Sequence, residues 1–124
     1  MLELIHVNPS SGEPIYRQLH EQIVRLIVGG QLQPDQVLPS VRQIAEFLSV
    51  NPMTVSRAIQ QLVEQGWIVR QRGQPTRVAA TQPNHSHSGI ELLQRTITEL
   101  VEQAKQLGVP LEDLQQALKD KWQG

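Results

Sequence analysis

Through the first half of the chain, apolar side chains recur at the three- and four-residue steps of a helix, and breaks in that rhythm mark out the elements. In "EPIYRQLHEQIVRLIVGG", Ile15, Leu19, Ile23, Leu26 and Ile27 form one stripe, and Gly29-Gly30 supplies a stop. The extended lead-in "MLELIHVNPSSG" precedes it and ends in turn residues. A Pro-Asp turn in "QLQPDQVLP" leads to "SVRQIAEFL", where Ser40 and Gln43 have the spacing of a capping box. That short helix is expected to bury Val41, Ile44, Ala45 and Leu48. After a three-residue break, Ser49 to Asn51, a second helix starts on Pro52. Proline suits the first helical position because its missing N–H would be unpaired there and its φ is already helical. Asn51 is a favoured N-cap. Val55, Ala58, Ile59, Leu62 and Val63 mark the buried face, leaving Met53, Thr54 and Arg57 on the open one. A short helix, a tight break and a second helix form the helix-turn-helix pattern.

After Gly66 the period changes. Trp67 to Gln71 and Thr76 to Ala79 are strand-forming runs on either side of Arg72-Gly73-Gln74-Pro75, which reads as a β-hairpin. Gly73 can take positive φ, and Pro75 removes one donor and stiffens the exit. A helix-turn-helix followed by a hairpin with a basic tip is the layout of a winged helix. "TQPNHSHSG" is polar and without period, a linker. Beyond it Ile90, Leu93, Ile97, Leu100, Ala104 and Leu107 form a narrow seam in alternating steps of three and four. Gly108 ends that helix and Pro110 restarts one striped by Leu111, Leu114, Leu118 and Trp122. A helical hairpin of this size cannot bury both apolar faces alone, so a second copy of itself is the simplest partner. The expected fold is mostly α with a small β-hairpin. Its expected divisions are a winged helix-turn-helix domain (1–80), a linker (81–88) and a two-helix dimerisation tail (89–124).

The formal net charge of the 124 residues is −1, but it is unevenly spread. From Pro39 to Ala80, five arginines (42, 57, 70, 72 and 77) face only Glu46 and Glu64, whereas the last 44 residues carry six acids against Arg95, Lys105, Lys119 and Lys121. A positive half and a mildly negative half suggest a division of labour. There is no cysteine, which fits a reducing compartment. No long apolar run or signal-peptide pattern appears, so a cytoplasmic location is expected.

A polyanionic partner fits the positive half. The start of a helix offers unpaired amides to a phosphate while its first-turn side chains reach base edges. Arg42 or Arg57 could read guanine, Met53 and Thr54 could pack on a thymine methyl, and Asn51 could reach adenine if capping left it free. Arg72, Gly73 and Gln74 would lie along phosphates or in the minor groove. With Ser40 and Ser56, these are the candidate DNA-binding residues. Arg70 and Arg77 read as strand-surface charges, and Tyr16 and Trp67 as core or core-edge residues. Other functions find less support. There is no glycine-rich phosphate loop, nucleophile motif or framed carboxylate pair, so catalysis has nothing to rest on. His85 and His87 form a His-x-His without a nearby Cys, Asp or Glu, His6 and His20 are weaker still, and no metal or other cofactor is expected. A winged helix used only for protein contacts is the alternative that the fold permits.

Five local patterns in order carry a resemblance: "PIYRQL", "LPSVRQIAEFL", the Thr-Val-x-Arg-Ala run at Thr54 to Ala58, "EQGWIV" and the Gly-x-x-Thr of Gly73 to Thr76. Together they resemble the DNA-binding domain of the GntR family of bacterial transcription regulators. The "VNPMTV" turn and the short tail resemble its YtrA-like branch. The resemblance implies a homodimeric regulator, a repressor, on a palindromic DNA operator, with the tail as dimerisation device and a base contact by the arginine of Leu-Pro-Ser-x-Arg, here Arg42. Asp35 stands where the family often has glycine, Pro75 replaces a frequent wing glycine and Arg77 a frequent aromatic. A dedicated effector domain is not expected. An unidentified small-molecule effector, should one exist, would bind between tail and winged domain or between protomers.

Overall fold

The computed structural model describes residues 1–83 and 89–124, so the His-x-His of His85 and His87 and most of the expected linker lie outside the described residues. Helix α1 spans Ile15–Val28, α2 Val41–Leu48 and α3 Pro52–Glu64. Strands β1 (Ile68–Val69) and β2 (Arg77–Val78) follow, then α4 (Gly89–Leu92), α5 (Gln94–Gln106) and α6 (Leu111–Gln123). The described residues fall into two compact units, Met1–Gly89 and Ile90–Gly124.

In the first unit α3 is the central element, packed against both α1 and α2. Leu19 and Ile23 of α1, Ile44 of α2, and Val55, Ala58 and Leu62 of α3 are fully shielded from solvent, with Trp67, Ile68 and Val78 closing the core from the hairpin. Val41, Leu48 and Val63, expected inside, are only half-buried: Val41 and Leu48 are the first and last residues of α2, and Val63 lies at the edge of the α3 stripe. The two strands are shorter than the expected runs. They pair antiparallel in the register Ile68↔Val78 and Val69↔Arg77.

A third stretch joins this sheet. Val37 forms a bridge with Arg77, the Leu38 amide donates to the Thr76 carbonyl at 2.8 Å, and the Asp35 amide donates to that of Val78 at 3.0 Å. Asp35 lies in the left-handed region, at φ 64°, where a short polar side chain is among the few tolerated besides glycine. Arg77 braces the same turn, its Nη1 donating to the Asp35 carbonyl at 3.2 Å.

The lead-in is not simply extended. A single 3₁₀ turn, Leu2–Leu4, precedes the buried Ile5, and two glutamines one helical turn apart on α1 then hold the chain. Gln18 accepts from the Asn8 amide and donates to the Asn8 and Glu13 carbonyls. Gln22 accepts from the His6 amide and donates to its carbonyl. Both side chains thereby replace the backbone partners that a neighbouring strand would supply.

In the second unit the expected single helix from Ile90 to Leu107 is interrupted at Leu93. Its amide donates to Ile90, three residues back, at 3.1 Å, and that tighter turn restarts the ladder as α5. Gly108, at φ 71°, ends α5, and Pro110 stands at the N-cap of α6. Along the expected seam Ala104 is buried, Ile97, Leu100 and Leu114 are half-buried, and Ile90, Leu93, Leu107, Leu111, Leu118 and Trp122 are exposed, Trp122 by 92%. None of the described helices is long and apolar enough to cross a membrane.

Candidate nucleic-acid interface

Two caps set the geometry between α2 and α3. The Ser40 hydroxyl accepts from the Gln43 amide at 3.1 Å while the Gln43 side chain accepts from the Ser40 amide at 2.9 Å, a complete capping box. Nine residues after Ser40, Ser49 takes a left-handed conformation (φ 56°), and the Val50 amide donates to the Ala45 carbonyl, closing α2. Asn51 then caps α3, its Oδ1 accepting from the Met53 amide at 2.8 Å. The cap engages one lone pair of that oxygen and leaves the side-chain amide N–H groups as donors. Asn51→Ala is expected to cost about 1 kcal/mol of stability. Thermal unfolding checks this, and a wild-type midpoint would show that the cap contributes nothing.

On the open side of α3, Met53 is 78% exposed and Ser56 and Arg57 are exposed, whereas Thr54 is half-buried and contributes less to that face than its position in the sequence suggests. Ser56 lines a groove of about 650 Å³ whose other walls are Ser40 and Gln43 at the start of α2 and the residues of the wing from Arg70 to Thr76. Arg57 lies on the other flank, its Cζ 3.7 Å from the centre of the Tyr16 ring on α1. The candidates thus surround one face but do not converge on a point.

Arg42 projects from the first turn of α2, with Nε 3.5 Å from Glu46 Oε1 and both side chains largely in solvent. Such a pair contributes at most about 1 kcal/mol, so a DNA contact can readily replace it. At the wing tip Arg72, Gly73 and Gln74 are all exposed. Gly73 sits at φ 78° in a turn closed by the Gln74 amide on the Gln71 carbonyl. A residue with Cβ would find open space there but a strained backbone. Phe47, half exposed on α2, carries no signal in the helical pattern because it falls between the buried positions of that helix. Among the described residues no cluster of His, Cys, Asp or Glu could hold a metal ion.

Comparison with known proteins agrees with this layout. The family model described as "Bacterial regulatory proteins, gntR family" matches residues 15–78, from the start of α1 to the end of β2. The HTH-type transcriptional repressor YtrA of Bacillus subtilis is 32% identical over 118 residues, 94% of this chain and 91% of that protein. A GntR family transcriptional regulator from Listeria monocytogenes superposes with a TM-score of 0.73 at 26% identity, covering 92% of this chain and 98% of that one. The AraR DNA-binding domain, solved in complex with operator ORX1, superposes with a TM-score of 0.54 at 32% identity over 60% of this chain and 93% of that one. The chain therefore belongs to the GntR family, with YtrA-type relatives, and is a winged-helix transcription regulator rather than an enzyme.

Proposed function

We propose that the protein is a homodimeric repressor that recognises a palindromic DNA operator, with residues 1–80 as the DNA-binding domain and residues 89–124 as the dimerisation tail. The observation that carries the reading is the presentation of α3. It packs against both α1 and α2, is pinned at its start by Asn51, exposes Met53 to solvent, and sets Ser56 in a groove walled by the arginine-bearing wing. A helix held from behind with its first turn free is the arrangement that enters a major groove. Dimerisation is supported by the tail, where several large apolar side chains from Ile90 to Trp122 remain in solvent in the single chain. That YtrA is named a repressor, and AraR was solved on an operator, supports the same role here.

Within this scheme Arg42 reads and Arg72 holds. Arg42→Ala is expected to cost about 1 to 3 kcal/mol on the preferred site and to relax selection at one base position. Arg72→Ala is expected to weaken all sequences alike and flatten the salt dependence. Binding titrations on a preferred and a mixed-sequence duplex separate the two. Wild-type affinity and selectivity in Arg42→Ala would refute its assignment. If no duplex is bound at all, the winged helix serves protein contacts instead.

A further inference from the structure

The contact between Arg57 and Tyr16 assigns a part of the interface that the sequence left open. Tyr16 lies on the first turn of α1, half-buried, and its ring carries the Arg57 guanidinium at 3.7 Å. Because α1 packs on α3 from the protein side, a long side chain of α3 whose tip reaches a ring on α1 carries that tip to the α1 flank of the helix. Ser56, one residue and about 100° away around the helix, lines the wing groove on the other flank. Met53 and Gln60, both exposed, lie between these flanks. A helix in a major groove turns its outermost line toward the base edges and its flanks toward the sugar-phosphate walls.

We propose that Tyr16 is a positioning residue for DNA binding, whose ring holds Arg57 flat on the α1 flank of α3 so that its N–H edge meets a backbone phosphate and not a base. The inference rests on the DNA-binding reading above and deepens it, giving Arg57 a role distinct from the guanine contact considered from the sequence. A guanidinium stacked on a ring keeps its in-plane N–H groups free for a phosphate. Fixing it in advance removes part of the ordering cost of binding.

The test uses the full chain and its Arg57→Gln, Tyr16→Phe and Tyr16→Leu variants, with binding to a preferred and a mixed-sequence duplex titrated across salt. Arg57→Gln is expected to weaken both duplexes by the same factor and to lower the slope of log affinity against log salt by about 0.9 per protomer. Tyr16→Phe keeps the ring face and should bind as the wild type does. Tyr16→Leu should lose about two- to five-fold on both duplexes, and that loss should vanish when Arg57→Gln is already present. A purely structural Tyr16 would keep its loss in the Arg57→Gln background, and that result overturns the proposal. So does a change of preference at one base position in Arg57→Gln, or wild-type binding by Tyr16→Leu. Absence of any preference between the duplexes in the wild type would instead count against sequence-specific recognition, while the phosphate contact is still scored on the mixed-sequence duplex.

Discussion

Removing residues 89–124 is expected to leave a folded monomer that binds its operator about 10²- to 10⁴-fold more weakly than the full chain. The core of the first unit, from Leu19 and Ile23 through Leu62 to Val78, lies wholly before the cut, so the shortened chain keeps what it needs to fold. What it loses is the tether. In a dimer, binding of one half-site presents the second winged domain to the other half-site at high effective concentration, and the tail supplies the connection. Leaving Trp122 92% exposed in a monomer would keep a large apolar surface in water. Sedimentation of both chains, alongside operator titrations, measures the effect. A full-length chain that is monomeric at micromolar concentration would contradict it, as would a shortened chain of undiminished operator affinity.

Leu62→Ala is expected to destabilise the protein by about 2 to 5 kcal/mol. Leu62 is completely shielded on the inner face of α3, the helix against which both α1 and α2 pack, so its truncation leaves a cavity that rigid neighbours fill only in part. Against a total stability of about 5 to 15 kcal/mol for a small domain, such a loss takes a large share. Met53→Ala, nine residues earlier on the same helix but 78% exposed, should change stability by less than about 0.5 kcal/mol. Denaturant unfolding at fixed protein concentration compares them. If Leu62→Ala and Met53→Ala unfold together, α3 is not the hub of the core.

The two substitutions illustrate what the sequence made legible. Helical periodicity separated the buried from the open side of α3, and the capping residues placed its start and that of α2 because Ser40 and Asn51 satisfy amides that a helix start necessarily leaves unpaired. Gly73 and Gly108 were legible as turns for a similar reason, since both carry the positive φ that glycine adopts without strain. Non-local pairing was not legible. The Val37–Arg77 bridge comes from a stretch too short and too rich in turn residues to read as a strand, and it exists because the hairpin offers it an edge. Gln18 and Gln22 look like solvated polar residues until the lead-in chain lies against them. The break at Leu93 is hidden because apolar spacing continues through it.

The candidate interface divides along the same line. Arg42, Met53 and the wing tip could be picked out because exposure follows from helical phase and turn chemistry. The place of Arg57 could not, since it is decided by a ring 41 positions away in sequence. Thr54 is expected on the open face, yet it lies closer to the core than Met53 because it stands one helical turn before the fully shielded Ala58, at the edge of the buried stripe.

The central claim, that two copies of α3 read two symmetric half-sites, is tested most directly by selecting bound sequences from a random duplex pool with the full chain. The expected result is an inverted repeat whose half-sites are centred about 34 Å apart, or a small multiple of that, as successive major-groove entries on one side of the duplex require. Recovery of a single unpaired half-site, or of no enriched sequence at all, would contradict it.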